Sequence, residues 1–331
     1  MKIALIGGGT WGLALAQVLA DNRHEVILYA RKEETVKCLN ETHKAPAVFK
    51  EHIFPDNLKA TANLESAVKN ADGIVLAVPT SSIYDVLVSI KPFLNNDTIV
   101  INTAKGFERS ELSLPSAAIS KIYGNSSHPP VSLIGPSHAE EVIQRKLTCI
   151  CSVCTDKEIA ETVQSWFSNS YLRVYTCTDP IGSEVGAAIK NVIALASGMA
   201  DGLGIGGDNA KAALVTRGIQ EILRFGEYKG GKKNTFFGLT GVGDLIVTCF
   251  SIHSRNYRAG LAIGMADDVG DFLNKNTATV EGIFSCMVVA EEAKRAGIEM
   301  PLVEAVYNVL FKNEKPSRTV RNVMLRPLKE E

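Results

Sequence analysis

Three consecutive glycines, Gly7, Gly8 and Gly9, interrupt the chain between a short apolar run, Lys2–Ile6, and a helical pattern, Thr10–Asp21. The turn reads Gly7-Gly8-Gly9-Thr10-Trp11-Gly12, a GxGxxG spacing. Placed after a strand and opening a helix, each glycine has a mechanical task. Gly7 permits the tight turn, Gly9 lets the backbone approach a pyrophosphate, and Gly12 lets the helix lie close to the sheet, while the helix N-terminus offers unpaired N–H groups to an anion. A purely structural turn satisfies the same spacing in isolation; the strand-turn-helix-strand setting points to a bound dinucleotide. The glycines also break the apolar stretch, and Asp21-Asn22-Arg23-His24-Glu25 leads into another strand, so the expectation is a strand-turn-helix rather than a secretory leader.

From Met1 to about Thr178 short β-branched runs alternate with helical patterns. Residues 2–6, 24–30, 73–78, 98–102, 131–134 and 148–153 read as strands. Several are apolar on both faces, as strands covered by helices on each side are, and the alternation predicts a parallel sheet. After Asp179-Pro180 the pattern changes: residues 181–199, 210–227 and 280–296 carry helical periodicity and no clear strand follows. The expected fold is α/β, an N-terminal Rossmann-like doubly wound sheet over residues 1–178 and a C-terminal all-helical domain over 179–331. The Gly and Ala content early in the second domain suits close helix packing.

A net charge of −1 gives no reason to expect nucleic acid or an anionic membrane as partner, so an anionic ligand must be held by local groups. No apolar run reaches the length of a membrane span. Seven scattered cysteines argue against a disulfide framework and for a reducing, cytoplasmic compartment. Cys149, Cys151 and Cys154 contain one CxxC but no second pair or nearby His, so a buried strand using Cys as a small apolar residue is expected and no metal.

The second strand ends at Leu28-Tyr29-Ala30-Arg31-Lys32, where an NAD-specific site places an acid on the ribose 2′-hydroxyl. This chain has two cations instead. Arg31 suits the 2′-phosphate of NADP, which favours NADP(H) with NAD(H) still acceptable; a solvated basic loop is the alternative, weightier for Lys32. Later strand ends, Val78-Pro79-Thr80-Ser81, Asn102-Thr103-Ala104-Lys105-Gly106 and Ile134-Gly135-Pro136-Ser137-His138-Ala139, bring polar groups to the same edge. Turns require Pro and Gly on their own account, whereas Lys105 at a strand terminus on that edge reads as functional.

In the helical half, Gly186-Ala187-Ala188-Ile189-Lys190-Asn191-Val192 places a cation among small apolar residues. That is costly unless Lys190 has a partner or a task, a snorkelling surface lysine being the competing reading. Its ammonium can protonate the alkoxide formed when hydride reaches a ketone. As base in the reverse direction it needs a pKa below its free value of roughly 10.4, which desolvation or Lys105 would assist. Gly238-Leu239-Thr240-Gly241-Val242-Gly243-Asp244-Leu245 sets Asp244 after a flexible turn, where it caps a helix, orients Lys190 through a hydrogen bond, or does both. Ser254-Arg255-Asn256 reads as a capped helix start whose N–H groups, amide and guanidinium fork suit a phosphate dianion better than a carboxylate.

These stretches, together with Gly198-Met199-Ala200-Asp201-Gly202-Leu203-Gly204 and the run from Asn209 to Thr216-Arg217-Gly218, resemble the bacterial NAD(P)-dependent glycerol-3-phosphate dehydrogenase family in content and order over roughly residues 1 to 325. The resemblance implies reversible hydride transfer between NAD(P)H and glycerone phosphate, giving sn-glycerol 3-phosphate for phospholipid synthesis, by a cytoplasmic homodimer without membrane insertion. It implies that Lys190 transfers the proton beside Asp244; that Lys105, Gly135 and Ser137 meet substrate; and that Ser254, Arg255 and Asn256 hold its phosphate. Thr10, Trp11, Arg31, Lys105, Ala139, Arg255 and Glu281 resemble cofactor contacts. Departures fall at Ala104, where Ser or Thr is common, at His138 in place of Phe, and at Lys211 in place of Arg; none removes a proposed catalytic group. Two rival readings use the same residues. A 3-hydroxyacid dehydrogenase of the related Lys-dependent superfamily is disfavoured by the Ser254-Arg255-Asn256 run and the Asp244 turn. A non-catalytic NADPH-sensing module needs neither Lys190 nor Asp244.

Overall fold

The computed structural model describes every residue except Ser110, Glu111, Asn125, Thr277, Lys329 and Glu331. The chain divides into two compact units, Met1–Pro180 and Ile181–Glu331.

In the first unit the strands are β1 (Lys2–Ile6), β2 (Glu25–Tyr29), β3 (Lys44–Ala45), β4 (Phe49–Ile53), β5 (Leu58–Thr61), β6 (Gly73–Leu76), β7 (Ile99–Asn102), β8 (Val131–Ile134), β9 (Thr148–Val153) and β10 (Leu172–Cys177). Eight of them form one sheet in the order β10-β9-β8-β7-β6-β1-β2-β5, and β3 with β4 makes a separate antiparallel ribbon. Helices α1 (Thr10–Asp21), α2 (Glu33–Thr42), α3 (Leu64–Val68), α4 (Ile83–Ile90), α5 (Pro115–Tyr123), α6 (Ala139–Val142) and α7 (Lys157–Phe167) connect them. Both faces of the sheet are buried because successive side chains alternate sides. Ile3, Leu5, Leu28, Val75 and Ile101 pack with Leu15 and Leu19 of α1, Val142 of α6 and Trp166 of α7. Ala4, Ile6, Ile74, Leu76 and Val100 pack on the opposite face with Val68 of α3, Leu87 of α4 and Ile119 of α5. This is the doubly wound α/β arrangement expected for the N-terminal half.

The chain builds outward from β1 to β2 and β5, then returns to β6 on the other side of β1. The strand order therefore reverses between β1 and β6, and ligands of such sheets sit at that reversal, beyond the carboxyl ends of the strands. Strands β8, β7, β6, β1, β2 and β5 are mutually parallel, so their carboxyl ends share one edge. The sheet departs from the all-parallel expectation at β9, which pairs antiparallel with β8. After β8 the chain turns back through α6 and Arg145, in the left-handed region at φ 55°, and β9 starts from the edge where β8 ended.

Among its described residues the second unit contains helices and no strand: α8 (Pro180–Gly202), α9 (Asp208–Tyr228), α10 (Lys233–Phe236), α11 (Asp244–Phe250), α12 (Arg255–Ala266), α13 (Gly270–Lys275), α14 (Glu281–Ala296), α15 (Pro301–Lys312) and α16 (Pro316–Met324). Helices α8 and α12 are in close backbone contact. A Cβ on Gly198 would stand 2.1 Å from the Tyr257 carbonyl oxygen, and one on Gly260 would stand 2.1 Å from that of Leu195. Gly202 and Gly264 make the same approach one turn further on, so the two backbones touch along a glycine seam that any larger residue would part. Among the described residues no single helix is long and apolar enough to cross a membrane.

Candidate functional site

In the first unit the glycine turn lies at the strand reversal. Gly7 follows β1 with φ 125°, and a Cβ there would fall 2.4 Å from the Ala77 carbonyl oxygen just beyond β6. Gly12 is equally constrained from within, since its Cβ would meet the Gly7 carbonyl oxygen at 2.0 Å and Leu5 at 3.0 Å. Gly9, immediately before α1, differs: a Cβ there would meet nothing of the protein within 4 Å. The open space above Gly9 is thus a cradle that a side chain would fill. Beside it, the indole Nε1 of Trp11 is buried without a hydrogen-bond partner, a donor that a ligand can satisfy. Thr10 is exposed as the first residue of α1.

Arg31 is exposed just past β2 and engages no protein group. Lys105 follows β7, where buried Asn102 shapes the loop by donating to the Ala104 carbonyl (3.2 Å) and accepting from the Ala104 N–H (3.0 Å). The half-buried Lys105 ammonium donates to the Gly135 carbonyl oxygen at 2.8 Å, and the Ser137 hydroxyl donates to the same oxygen at 3.0 Å. Lys105, Gly135 and Ser137 therefore form one cluster beyond β7 and β8, with Ala139 buried at the start of α6. His138, the residue before that helix, does not cap it through its side chain.

In the second unit Lys190 is only 4% exposed in the middle of α8. Its ammonium forms a short ion pair with the fully buried Asp244 carboxylate and donates to the Thr248 hydroxyl at 2.9 Å. The Thr248 hydroxyl in turn donates a hydrogen bond to the Asp244 carbonyl oxygen at 2.6 Å, which fixes its lone pairs toward the lysine. Asp244 is the first residue of α11 rather than a cap to it, reached through a single wide helical turn, Leu239–Gly243. Ordinary desolvation would drive a buried ammonium neutral; a full carboxylate at hydrogen-bond range opposes that.

The Ser254-Arg255-Asn256 turn is organised rather than loose. The Ser254 hydroxyl caps α12 by accepting the Tyr257 N–H at 3.2 Å, and the Ser254 carbonyl takes the Arg258 N–H at 3.0 Å. The backbone N–H groups of Arg255 and Asn256 are left as the unbonded helix-start donors. Arg255 is exposed and engages no protein group, whereas Asn256 is buried. Its amide donates to Asn191 Oδ1 and accepts the Gly282 N–H, both at 2.9 Å. Asn256 thereby ties α12 to α8 and to the start of α14, whose first residue is the half-buried Glu281. Of the three residues read as one cradle, Arg255 alone presents an uncommitted charged side chain, and Ser254 serves the helix. Two contributors escaped the sequence reading. Thr248 was legible as the residue one helical turn after Asp244, and Asn191 as the neighbour of Lys190.

A second polar cluster lies on the same helices. Asp201 near the end of α8 accepts from the Lys211 ammonium at 2.7 Å and from the Tyr257 hydroxyl at 2.5 Å. Burial pushes the Asp201 carboxyl up, but the hydrogen bonds from Lys211 and Tyr257 outweigh it and hold the group below the usual carboxylate range. Among the described residues no group of three His, Cys, Asp or Glu is placed to hold a metal ion.

A glycine turn at the reversal of a doubly wound sheet, with a helical unit that buries a lysine against a carboxylate, is the equipment of a nucleotide-dependent oxidoreductase. Residues 2–160 match the model of the NAD-dependent glycerol-3-phosphate dehydrogenase N-terminus, and residues 179–321 match that of the C-terminus. Curated glycerol-3-phosphate dehydrogenases [NAD(P)+] from an Exiguobacterium species and from Listeria monocytogenes are 44% and 42% identical over 331 residues, covering 100% of this chain and 97% and 98% of theirs. The crystal structure of glycerol-3-phosphate dehydrogenase from Coxiella burnetii superposes with a TM-score of 0.90 at 31% identity, over 98% of each chain. The chain belongs to the NAD-dependent glycerol-3-phosphate dehydrogenase family.

Proposed function

We propose that the protein interconverts glycerone phosphate and sn-glycerol 3-phosphate with NADPH or NADH as hydride carrier, and that the residue sets above divide the work. The observation that carries the reading is the Lys190–Asp244–Thr248 arrangement, a proton donor buried in a chain whose relatives bear this activity in their names.

The cofactor, when bound, supplies or accepts the hydride. The turn holding Gly7, Gly9, Thr10, Trp11 and Gly12 would hold its pyrophosphate, Gly9 by having no side chain and Trp11 by offering its unpaired indole N–H. Lys105, Ala139, Arg255 and Glu281 are further cofactor contacts in this reading. Arg31, exposed and uncommitted where an NAD-specific site carries an acid, supports a preference for NADP(H). Lys105, Gly135 and Ser137 meet the substrate. Arg255, with the free N–H groups opening α12 and with Ser254 and Asn256 holding the turn, anchors its phosphate, and binding that remote group orients the reacting carbon. Lys190 delivers its proton to the C2 oxygen as the carbonyl is reduced and takes one back in the reverse direction. Asp244 keeps the ammonium charged and aimed, and Thr248 fixes the third corner.

We further read the protein as a cytoplasmic homodimer that supplies glycerol 3-phosphate to phospholipid synthesis, with no membrane insertion. Sedimentation equilibrium then gives twice the 35.7 kDa of one chain. The test of the function is the initial rate of NADPH and NADH oxidation with glycerone phosphate, against 2- and 3-ketoacids as controls. Fast oxidation with glycerone phosphate alone supports the reading and ranks the two cofactors. Preference for a ketoacid favours the hydroxyacid dehydrogenase, and NADPH binding with no turnover favours the sensor.

A further inference from the structure

We propose that Asp201 is a positioning residue for the phosphate-binding turn, acting through Tyr257; this rests on the reading of the Ser254-Arg255-Asn256 turn as the phosphate site. The geometry is that of a clamp closed at both ends of one residue. Tyr257 is the third residue of α12. Its backbone N–H is held by the Ser254 hydroxyl at 3.2 Å, and its phenol donates to Asp201 Oδ2 at 2.5 Å. Arg255 and Asn256 lie between Ser254 and Tyr257, so fixing the tyrosine fixes the pitch at which those two residues leave the helix start.

Asp201 is itself anchored. The Lys211 ammonium on the first turns of α9 pairs with the same carboxylate oxygen at 2.7 Å, each side chain being 16% exposed. The Gly207 N–H also donates to the carboxylate, and a Cβ on Gly206 would stand 1.8 Å from Oδ1, so the loop entering α9 wraps the acid closely. The Lys211 ammonium further lies 5.3 Å from the centre of the Tyr257 ring and 5.6 Å from that of Phe250. A cation over an aromatic face favours the ring where it stands, so Lys211 holds the tyrosine both through its acid and through its ring. Neither Asp201 nor Tyr257 belongs to the Lys190–Asp244–Thr248 arrangement, which separates their contribution from proton transfer.

Tyr257→Phe removes one hydroxyl and leaves the ring in place. In steady-state assays the KM for glycerone phosphate and the competitive inhibition constant for inorganic phosphate rise together by about tenfold, the scale of one lost hydrogen bond to a charged acceptor. Over the same assays kcat stays within about twofold, the pattern of a lost binding contact that the transition state shares with the ground state. Asp201→Asn, which keeps the shape and removes the charge, gives the same split. A Tyr257→Phe enzyme with unchanged phosphate inhibition, or one that loses kcat and not KM, overturns the proposal. Arg255→Ala tells this failure from that of the underlying reading. If Arg255→Ala leaves inhibition by inorganic phosphate untouched, the turn is not the phosphate site; if it abolishes inhibition while Tyr257→Phe does nothing, the turn binds phosphate and Asp201 does not position it.

Discussion

A buried ammonium is costly unless a neighbouring charge offsets its lost hydration, and the carboxylate of Asp244 lies where it can do so for Lys190. Lys190→Ala is expected to lower kcat by ~10²–10⁴, the usual worth of a positioned acid, with the KM for NADPH little changed; steady-state kinetics check it. An unchanged kcat removes Lys190 from proton transfer. At the candidate cofactor turn Gly12 and Gly9 are separable by experiment. Gly12→Ala drives a methyl into the Gly7 carbonyl oxygen and is expected to cost ~1–3 kcal/mol of stability, read from denaturant midpoints. Gly9→Ala has room within the protein and is expected to keep its stability while weakening NADPH binding, measured by titration of the coenzyme fluorescence. Equal destabilisation by both, with equal NADPH affinity, removes the cradle. Arg31→Ser is expected to raise the KM for NADPH several-fold and leave that for NADH nearly unaltered, as a lost partner of the 2′-phosphate would.

Helix α15 starts on a buried acid. Glu221 of α9 accepts the Leu302 N–H at 2.7 Å and the Val303 N–H at 3.1 Å, satisfying donors that the helix start leaves orphaned. Burial pushes its carboxyl up to about 7 against the pull of those two N–H groups. The folded chain then holds this proton more tightly than the unfolded chain does. Its contribution to stability is whole below about pH 4.5 and is lost as pH rises through about 7, on the order of 3 kcal/mol in all. Urea midpoints of the wild type should fall across that window relative to those of Glu221→Gln, which carries no titration there; parallel curves would remove the effect. At this scale the sequence was legible where an element is buried on both faces or carries long periodicity. The strand Lys2–Ile6 and the helix Thr10–Asp21 stand at the boundaries read from their patterns. The edges were not legible. β5 is four residues with an exposed lysine, and β10 alternates buried and exposed positions, so neither offers the continuous apolar run that marks an inner strand. β9 runs antiparallel to β8 after the turn that includes Arg145, and its own residues read the same in either direction. Among the candidate residues, charge and glycine spacing pointed to Lys190, Asp244 and the turn at residues 7–12, while the bonds through Thr248, Asn191 and Tyr257 depend on which helices meet, which local pattern does not encode.

Across the whole molecule all seven cysteines are free thiols. Cys151, Cys154, Cys249 and Cys286 are buried, and burial pushes the Cys249 thiol up to about 12, so it stays protonated and inert. Thiol titration of the native protein should therefore register only the partly exposed Cys38, Cys149 and Cys177, with all seven reacting in denaturant without reductant; a shortfall in denaturant would reveal a disulfide. The seam between α8 and α12 bears on substrate choice as well as on packing. Asn191, beside Lys190, and Asn256, beside Arg255, join the two helices at one end of the line of touching glycines. Backbone in contact with backbone has no side chain to flex. In the proposed reading the ammonium on one helix receives the carbonyl and the guanidinium on the other the phosphate, so the shared frame works as a calliper, and a homologue one carbon longer is expected to bind more weakly.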